Sequence, residues 1–538
     1  MMRAHINAVV ALLLTLVSLT VEAVNLSRDA TGQVLLYPYY NVNQGNVTFV
    51  SVTNTTAVAK AVKVRFREAV GGESVFDFTL YLSPRDVWVG ALLQQGGAVR
   101  LSVPSDTSCT IPDTATLTTT DFSADRIDSA YDPDDDGTQS ADEVLARLAE
   151  GHIEIIELAE LPDTADANDI AVAVEHNQSA DPVAPADCTV AASFNDTADI
   201  GAILDAGNVT ASGVTQAFQS PGGGLMGNAA IFNASSGIYF PYNATALRAF
   251  ATNPIWWPQN SEAFTQVEGV ATVGEDSAGN TISNYRTADN GTTVPSAGGT
   301  LNRDLPDLST PSMAEVNADS SAYMAFSHDA ASGEQVINSG SFGGAAPNAK
   351  HDKASAVGAA LTVNRIMGEF ITSADYGTEW IVNFPTRYTK VSDNGAHAPF
   401  TTLETASSGQ ARESLQIDLW DREEEKNEDE SFIMAPPPNS IDFPYAVNVL
   451  SPYSTTTFET IDVVYSTAVK RLYNLEFSDG WGYIDLSFRA VTPTVLTAGD
   501  SSGNILGLPL IGFIAVADTV TGTERGGVFP LRAMSDEQ

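Results

Sequence analysis

The sequence predicts a mainly β protein of immunoglobulin-like sandwich units, with a disulfide-pinned insertion that carries one calcium loop and a short helix. Three observations carry this reading. Between Val47 and Trp88, Val62, Val64 and Phe66 alternate with Lys63, Arg65 and Arg67, and Phe76, Phe78, Leu80 and Leu82 alternate with Asp77, Thr79 and Tyr81. Period-two alternation marks a sheet with one buried and one wet face. Gly71-Gly72-Glu73-Ser74 lies between the two runs and suits an antiparallel hairpin. With Phe49-Val50-Ser51-Val52 upstream, this makes three strands within about 40 residues, the spacing of a sandwich. The same grammar returns near the C-terminus in Tyr445–Leu450, Ile484–Phe488 and Leu510–Val516.

Residues 1–23 read as a secretory signal peptide. Arg3 supplies the positive end, Ile6–Leu19 is an apolar run broken by Asn7, Thr15 and Ser18, and Val21-Glu22-Ala23 offers the cleavage site. The competing reading, a membrane anchor, requires ~20 apolar residues, more than this run holds. No cysteine sits near the cleavage site, which argues against a lipoprotein, and no later stretch is predicted to span a membrane. The chain is therefore expected outside the cytoplasm: extracellular, on the cell surface or in the periplasm.

The mature chain has room for about three domains. The expected division is an N-terminal β-sandwich unit at 24–108, an Asp-rich insertion at 109–221, a central β-rich region at 222–435 and a C-terminal sandwich unit at 436–538. Hydrophobic residues make up 43% of the chain, enough for ordinary cores. Against 26 Lys and Arg stand 67 Asp and Glu, a net charge of -41. Such a surface repels nucleic acid and anionic lipid, and both are discounted as partners.

Cys109 and Cys188 are the only cysteines. In an exported protein they suggest one disulfide, against the alternative of two free thiols. The bond would stabilise the fold by roughly 4.5 kcal/mol on the chain-entropy model.

Taken in order, Val34–Tyr40 is an apolar strand in which Pro38 favours an edge or a strand end. Val99–Val103 is a further strand leading to Cys109. The insertion holds one helix candidate, Asp142–Glu150, and a strand, Ile153–Leu158. Gly222-Gly223-Gly224 marks a hinge or tight turn. Ala229–Phe232 and Ile238–Tyr242 read as strands, Asn243–Phe250 as a short helix, and residues 265–305 as a long loop or weak strands. Ala354–Met367 gives mixed signals, and Glu379–Pro385 is a strand. The charge run Asp421–Glu430 reads as a solvated loop, and Pro436-Pro437-Pro438 as a stiff spacer. The strings Tyr37-Pro38-Tyr39, Phe240-Pro241-Tyr242 and Phe443-Pro444-Tyr445 recur.

The sharpest motif is Asp132-Pro133-Asp134-Asp135-Asp136-Gly137-Thr138-Gln139-Ser140-Ala141-Asp142-Glu143, which fits the twelve-residue calcium loop at its oxygen-ligand positions. Asp132, Asp134 and Asp136 offer side-chain oxygens, Gly137 permits the sharp turn, and Thr138 offers its carbonyl. Ser140 binds directly or through water, and Glu143 closes the site bidentately. Gln139 stands where an EF-hand is aliphatic, and the entering segment is a poor helix. The expectation is a lone structural Ca2+ loop, against the plainer reading of an acidic turn.

Catalytic patterns are thin. Gly499-Asp500-Ser501-Ser502-Gly503 has Gly-x-Ser-x-Gly spacing, but a strand-like segment with Pro509 follows it where a nucleophile elbow needs a helix, so a hairpin turn is expected. His152, His176, His328, His351 and His397 lack ligand spacing and read as surface or incidental residues. Trp256 and Trp257, with Tyr239 and Tyr242 nearby, offer a sugar-stacking platform or, alternatively, core packing.

The strings Gln33–Tyr40, Leu80–Trp88 and Trp380–Thr386 resemble a family of exported, uncharacterised proteins of Gram-negative bacteria. The resemblance implies export and a β-rich architecture and assigns no functional residue. The expected function is a non-enzymatic structural or adhesive protein of the cell exterior. The alternatives are a carbohydrate-binding module or glycan-active enzyme and a self-assembling fibre subunit. The expected partners are an extracellular polysaccharide or like subunits.

Overall fold

A computed structural model describes residues 24–124, 127, 138–163, 169–195, 208–211, 214–251, 254–256, 259, 266–267, 270–275, 281–283, 306–308, 326–328, 335–337, 353–389, 391–392, 395–396, 400, 413–426, 440–453, 461–475, 480–487, 507–520 and 524–534. The chain is mainly β. Its N-terminal half pairs a seven-stranded sheet with a five-stranded one. The larger runs Asn25–Leu26, Thr245–Arg248, Val34–Asn41, Glu150–Leu161, Ala59–Glu68, Ser74–Leu82 and Thr110–Ile111. The smaller runs Tyr239–Asn243, Leu225–Asn233, Asn46–Asn54, Val87–Gln95 and Ala98–Ser102. The alternating residues explain the packing: Val62, Val64, Phe66, Phe78 and Leu80 of the larger sheet share one core with Val50, Val52, Trp88 and Leu92 of the smaller.

The hairpin forms as predicted, Ala59–Glu68 against Ser74–Leu82, and Gly72 supplies the positive φ of 83° that the turn requires. Two boundaries move. Glu150–Leu161, placed by the sequence in an insertion, is a central strand between Val34–Asn41 and Ala59–Glu68. Leu225–Arg248, placed in a central region, completes both N-terminal sheets. The predicted helix Asn243–Phe250 is instead the strand Thr245–Arg248, because pairing with Val34–Leu36 buries Ala246 and Leu247. Pro38 lies in a central strand, not at an edge. The pairing with Thr245–Leu247 stops at Leu36, and the register against Glu150–Leu161 shifts between Tyr37 and Tyr40, so the missing N–H breaks no ladder.

The largest correction concerns the face predicted to be wet. Lys63, Arg65 and Arg67 are 3%, 0% and 1% exposed. A second layer covers them: Ile170, Val174 and Phe194, then Ile255 and Trp256, Leu308, Val357, Leu361 and Tyr388. Much of this cover comes from about two hundred or more residues further along the chain, beyond the reach of local alternation.

The C-terminal half pairs two five-stranded sheets. One runs Ser440–Phe443, Glu413–Asp421, Trp481–Ser487, Arg365–Ile371 and Arg532–Met534. The other runs Lys470–Asn474, Val447–Tyr453, Tyr376–Asn383, Ile511–Asp518 and Arg525–Pro530. All pairs are antiparallel except Val447–Tyr453 with Lys470–Asn474. Their shared core includes Ile366, Phe370, Trp380, Ile417, Ile484 and Ile514.

The outer face of the second sheet joins the N-terminal core: Ile381, Val447, Val449, Phe513 and Ala515 belong to the same cluster as Tyr37 and Phe66. The recurring aromatic–proline strings sit at this seam. Pro38 O accepts from Asn383 Nδ2 at 3.0 Å, Tyr242 stacks on Phe513 at 4.7 Å, and Pro444 O accepts from Arg387 Nη2 at 2.7 Å.

Candidate functional site

The predicted site residues divide into three groups. Cys109 and Cys188 form a disulfide, with Cα atoms 5.3 Å apart. Of the calcium ligands, Asp132, Asp134 and Asp136 lie outside the described residues. Thr138 and Ser140 lead into the helix Ala141–Leu148 and Glu143 lies in its first turn. Ser140 Oγ accepts the Glu143 N–H at 3.3 Å, and Glu143 Oε2 accepts the Ser140 N–H at 2.7 Å. This capping box satisfies two donors of the first turn, so the carboxylate that the sequence assigns to calcium here caps the helix. The string Gly499–Gly503 also lies outside the described residues.

The aromatic platform read around Trp256 is not an exposed surface. Trp256 is fully buried, stacks on Phe218 at 4.5 Å and donates Nε1–H to the Tyr81 hydroxyl at 3.3 Å. Tyr242 is buried with its hydroxyl on Tyr39 O. Tyr239 is exposed, and Trp257 lies outside the described residues. The core reading fits Trp256 and Tyr242 because a ring without open faces cannot stack on a sugar.

Beneath that layer the N-terminal sheet holds a buried ionic network. Arg67 Nε lies 2.9 Å from Glu154 Oε1, and its guanidinium carbon sits 3.4 Å from the centre of the Tyr388 ring. Arg65 Nη1 donates to Pro306 O at 3.0 Å. Lys63 Nζ donates to Asp77 Oδ1 at 3.0 Å and to Gln259 Oε1 at 2.5 Å. Burial pushes Glu154 up, but Arg67, His152 and Arg65 together outweigh it and hold the carboxyl down at about 2. Burial lowers His152, with Glu154 opposing, and neither ring nitrogen has a hydrogen-bond partner among the described residues. The expectation that His152 is a surface residue is corrected: it is fully buried. The network is closed to solvent, and Asp307, 3.9 Å from Arg67, joins Glu154 and Asp77 against the three cations, so removing any one partner would leave a buried charge uncompensated.

At the other end of the strand Ala59–Glu68, Lys60 Nζ serves two carboxylates, Glu157 Oε1 at 2.6 Å and Glu160 Oε1 at 2.7 Å. The N–H groups of Gly222 and Gly223 reach Glu157 at 3.0 and 2.8 Å. Burial, reinforced by Glu160, pushes Glu157 up to about 7 against these donors. The folded state therefore binds this proton more tightly than the unfolded chain. The stability it contributes is complete below the ordinary carboxylate range and is lost as pH rises through about 7. Glu157→Gln, which mimics the protonated form, should flatten the fall in melting temperature between about pH 5 and pH 8, and thermal melts across that range check it.

The remaining feature lies on the C-terminal half: an open cleft of about 680 Å3 where the two sheets part. Phe370, Ile514 and Val516 form its floor, and Trp481, Tyr483 and Phe529 stand around it at 50%, 40% and 57% exposure. Gly368 lets its strand lie on Ile514 and Trp380, since a Cβ there would run into Ile514 Cδ1. Trp481 packs edge-on against Tyr376 at 6.4 Å. Tyr483 stacks on Trp420 at 4.7 Å, and Lys426 Nζ lies 5.5 Å from the same indole. Trp420 therefore has no open face, whereas Trp481 and Phe529 have open ring surface.

The sequence held a signal for this site. Trp481, Tyr483, Asp485 and Ser487 alternate with Gly482, Ile484 and Leu486, which puts two aromatics on the outward face of a strand. Reading the strand as starting at Ile484 left both aromatics out.

Among the described residues, no helix is long and apolar enough to cross a membrane. No family model matches the chain, and neither a curated protein nor a solved structure matches it.

Proposed function

We propose that this chain is an exported, non-enzymatic surface or matrix protein, adhesive in kind, that takes its ligand in the cleft of the C-terminal sheet pair. The supporting observation is the exposure of Trp481, Tyr483 and Phe529 around one concave apolar site. Concave, mostly apolar sites with a few polar groups at the mouth are the usual form of a ligand site. In this reading the two halves are immunoglobulin-like sandwich units serving as a rigid carrier, and the partner is an extracellular polysaccharide or a like subunit. Export is supported by the signal-like residues 1–23.

Labelled mature protein should bind to cell-surface material, and the double variant Trp481→Ala/Tyr483→Ala should weaken that binding by about tenfold or more. A hydrolytic activity abolished by one acidic substitution would overturn the non-enzymatic reading.

Calcium has a structural role in the same proposal, holding the Asp-rich segment 132–143 against its own repulsion. Adding Ca2+ should raise the melting temperature of the wild type but not of Asp132→Ala/Glu143→Ala, and no rise in the wild type would end the idea.

A second reading, self-assembly into a fibre, is favoured by the strand Lys470–Asn474, which among the described residues pairs on one side only and leaves Leu472 60% exposed. Sedimentation velocity with calcium and then with chelator decides it: large assemblies support it, and a compact monomer in both conditions removes it.

A further inference from the structure

Resting on the reading of the cleft as the binding site, but replacing a polysaccharide as its occupant, we infer that its ligand is the hydrocarbon chain of an uncharged amphiphile. The walls come from both sheets: Arg365–Ile371 and Trp481–Ser487 from one, Ile511–Asp518 and Arg525–Pro530 from the other. The volume of about 680 Å3 falls within the roughly 300–1,000 Å3 of small-molecule sites.

The interior has little to offer a polar ligand. Its floor is Phe370, Ile514 and Val516, flanked by Ile371 and Phe529. The Thr378 hydroxyl, which also lines the cleft, is already committed: it accepts the Ile371 N–H at 2.9 Å and donates to the Ile371 carbonyl at 2.7 Å. A sugar hydroxyl placed on that floor would give up its water and gain no partner, whereas a methylene chain gives up only unfavourable hydration.

The mouth carries charge, but the charges are matched. Glu369 pairs with Arg532 at 3.8 Å, and Arg422 with Glu423 at 3.1 Å. Asp421 accepts the N–H groups of Glu423 and Glu425 at 2.9 and 2.8 Å. These exposed pairs put no strong one-signed field at the mouth to hold an ionic head group, and an anionic one would also meet a chain of net charge -41. The head that fits is uncharged and remains at the rim, beside Trp481 and Tyr483, where the indole and phenol edges meet water.

The test is calorimetric titration of the mature protein with hexanol, octanol and decanol, and with decanoate, decyltrimethylammonium and cellohexaose as comparators. The expected result is one saturable site whose affinity rises roughly fourfold per added methylene. Decanol should bind more tightly than either charged analogue, Trp481→Ala should weaken decanol by about tenfold, and Ile371→Glu should abolish binding. Thermal melts show whether Ile371→Glu folds; if it does not, the exposed Trp481→Ala and Phe529→Ala variants carry the test.

Affinity that does not depend on chain length, or decanol binding that ignores all three substitutions, overturns the inference. Cellohexaose binding that Trp481→Ala removes, with no binding of the alcohols, overturns the hydrocarbon ligand and leaves the cleft as the recognition site. If no compound binds and surface adhesion ignores the Trp481→Ala/Tyr483→Ala pair, both readings fall.

Discussion

Replacing Glu68 with Ala is expected to cost about 3–5 kcal/mol of stability, the cost of removing one partner from a buried ion pair. Glu68 is fully buried, and Arg147 approaches it with Nε and Nη2, each at 3.1 Å. The same carboxylate collects the turn that follows it: the N–H groups of Val70, Gly71, Gly72 and Glu73 lie 2.7, 2.7, 2.9 and 3.2 Å away. Burial pushes Glu68 up, but Arg147 and these N–H groups outweigh it and keep it below the ordinary carboxylate value.

Without the carboxylate, a buried guanidinium and several backbone donors lose this shared acceptor together. Arg147→Met should be milder, because it leaves the four backbone donors on Glu68 and replaces the charge with a shorter apolar chain. Chemical denaturation of both variants measures the difference. Equal losses would mean that the turn contributes nothing through Glu68. The helix that carries Arg147, Ala141–Leu148, begins inside the proposed calcium loop, so Glu68 also fixes the far end of that segment.

Glu150→Ala should lower stability by about 3 kcal/mol, on the scale of charged hydrogen bonds lost from a buried site, and should also change how the molecule unfolds. Glu150 opens a central strand of the N-terminal sheet, yet its oxygens are held by the C-terminal half. Ser466 Oγ donates at 2.8 Å, Thr467 N at 2.8 Å and Ala468 N at 2.6 Å, alongside Tyr39 Oη at 2.6 Å. Around it, Asn41 Nδ2 and Asn46 Nδ2 both reach Val464 O at 3.0 Å. The N–H groups of Ala446 and Val447 reach Val70 O and Ala69 O at 2.7 and 2.8 Å.

The seam is thus a continuous core with a polar clasp, and the wild type is expected to melt in one transition. Glu150→Ala should split it in calorimetry, because the segment 461–469 loses its anchor while each sheet pair keeps its own core. Glu150→Gln, which keeps acceptor oxygen but adds a misplaced donor, should fall between. A single transition in Glu150→Ala, with little loss of stability, would show that the rest of the seam holds the halves together without Glu150.

Local pattern carried the strands well and their surroundings poorly. Val62-x-Val64-x-Phe66 and Phe76-x-Phe78-x-Leu80 state their period in the sequence, and the hairpin formed in that register. Their partners were less legible. The neighbour of Ala59–Glu68 on its other side is Glu150–Leu161, some ninety residues away, and alternation does not name a strand's neighbour. The charged face failed for a related reason: polarity at Lys63, Arg65 and Arg67 is written locally, but their burial is decided by Leu308 and Tyr388. A buried charge is stable only when its partners arrive together, and Glu154 and Asp77 come from two different strands.

The same limit acted on the candidate site. Trp256 and Trp257 stand out as a pair, yet packing hides Trp256. Trp481 and Tyr483 are ordinary strand residues until the parting of the two sheets gives them a cleft.

Hydrogen–deuterium exchange of the mature protein with and without saturating decanol tests most directly whether recognition belongs to this cleft. Slower exchange should appear in Arg365–Ile371, Trp481–Ser487 and Arg525–Pro530, with Ala59–Glu68 and Glu150–Leu161 unchanged. Protection on Ala59–Glu68 and Glu150–Leu161 instead, or none at the cleft strands while ligand is bound, would contradict it and move the site elsewhere on the molecule.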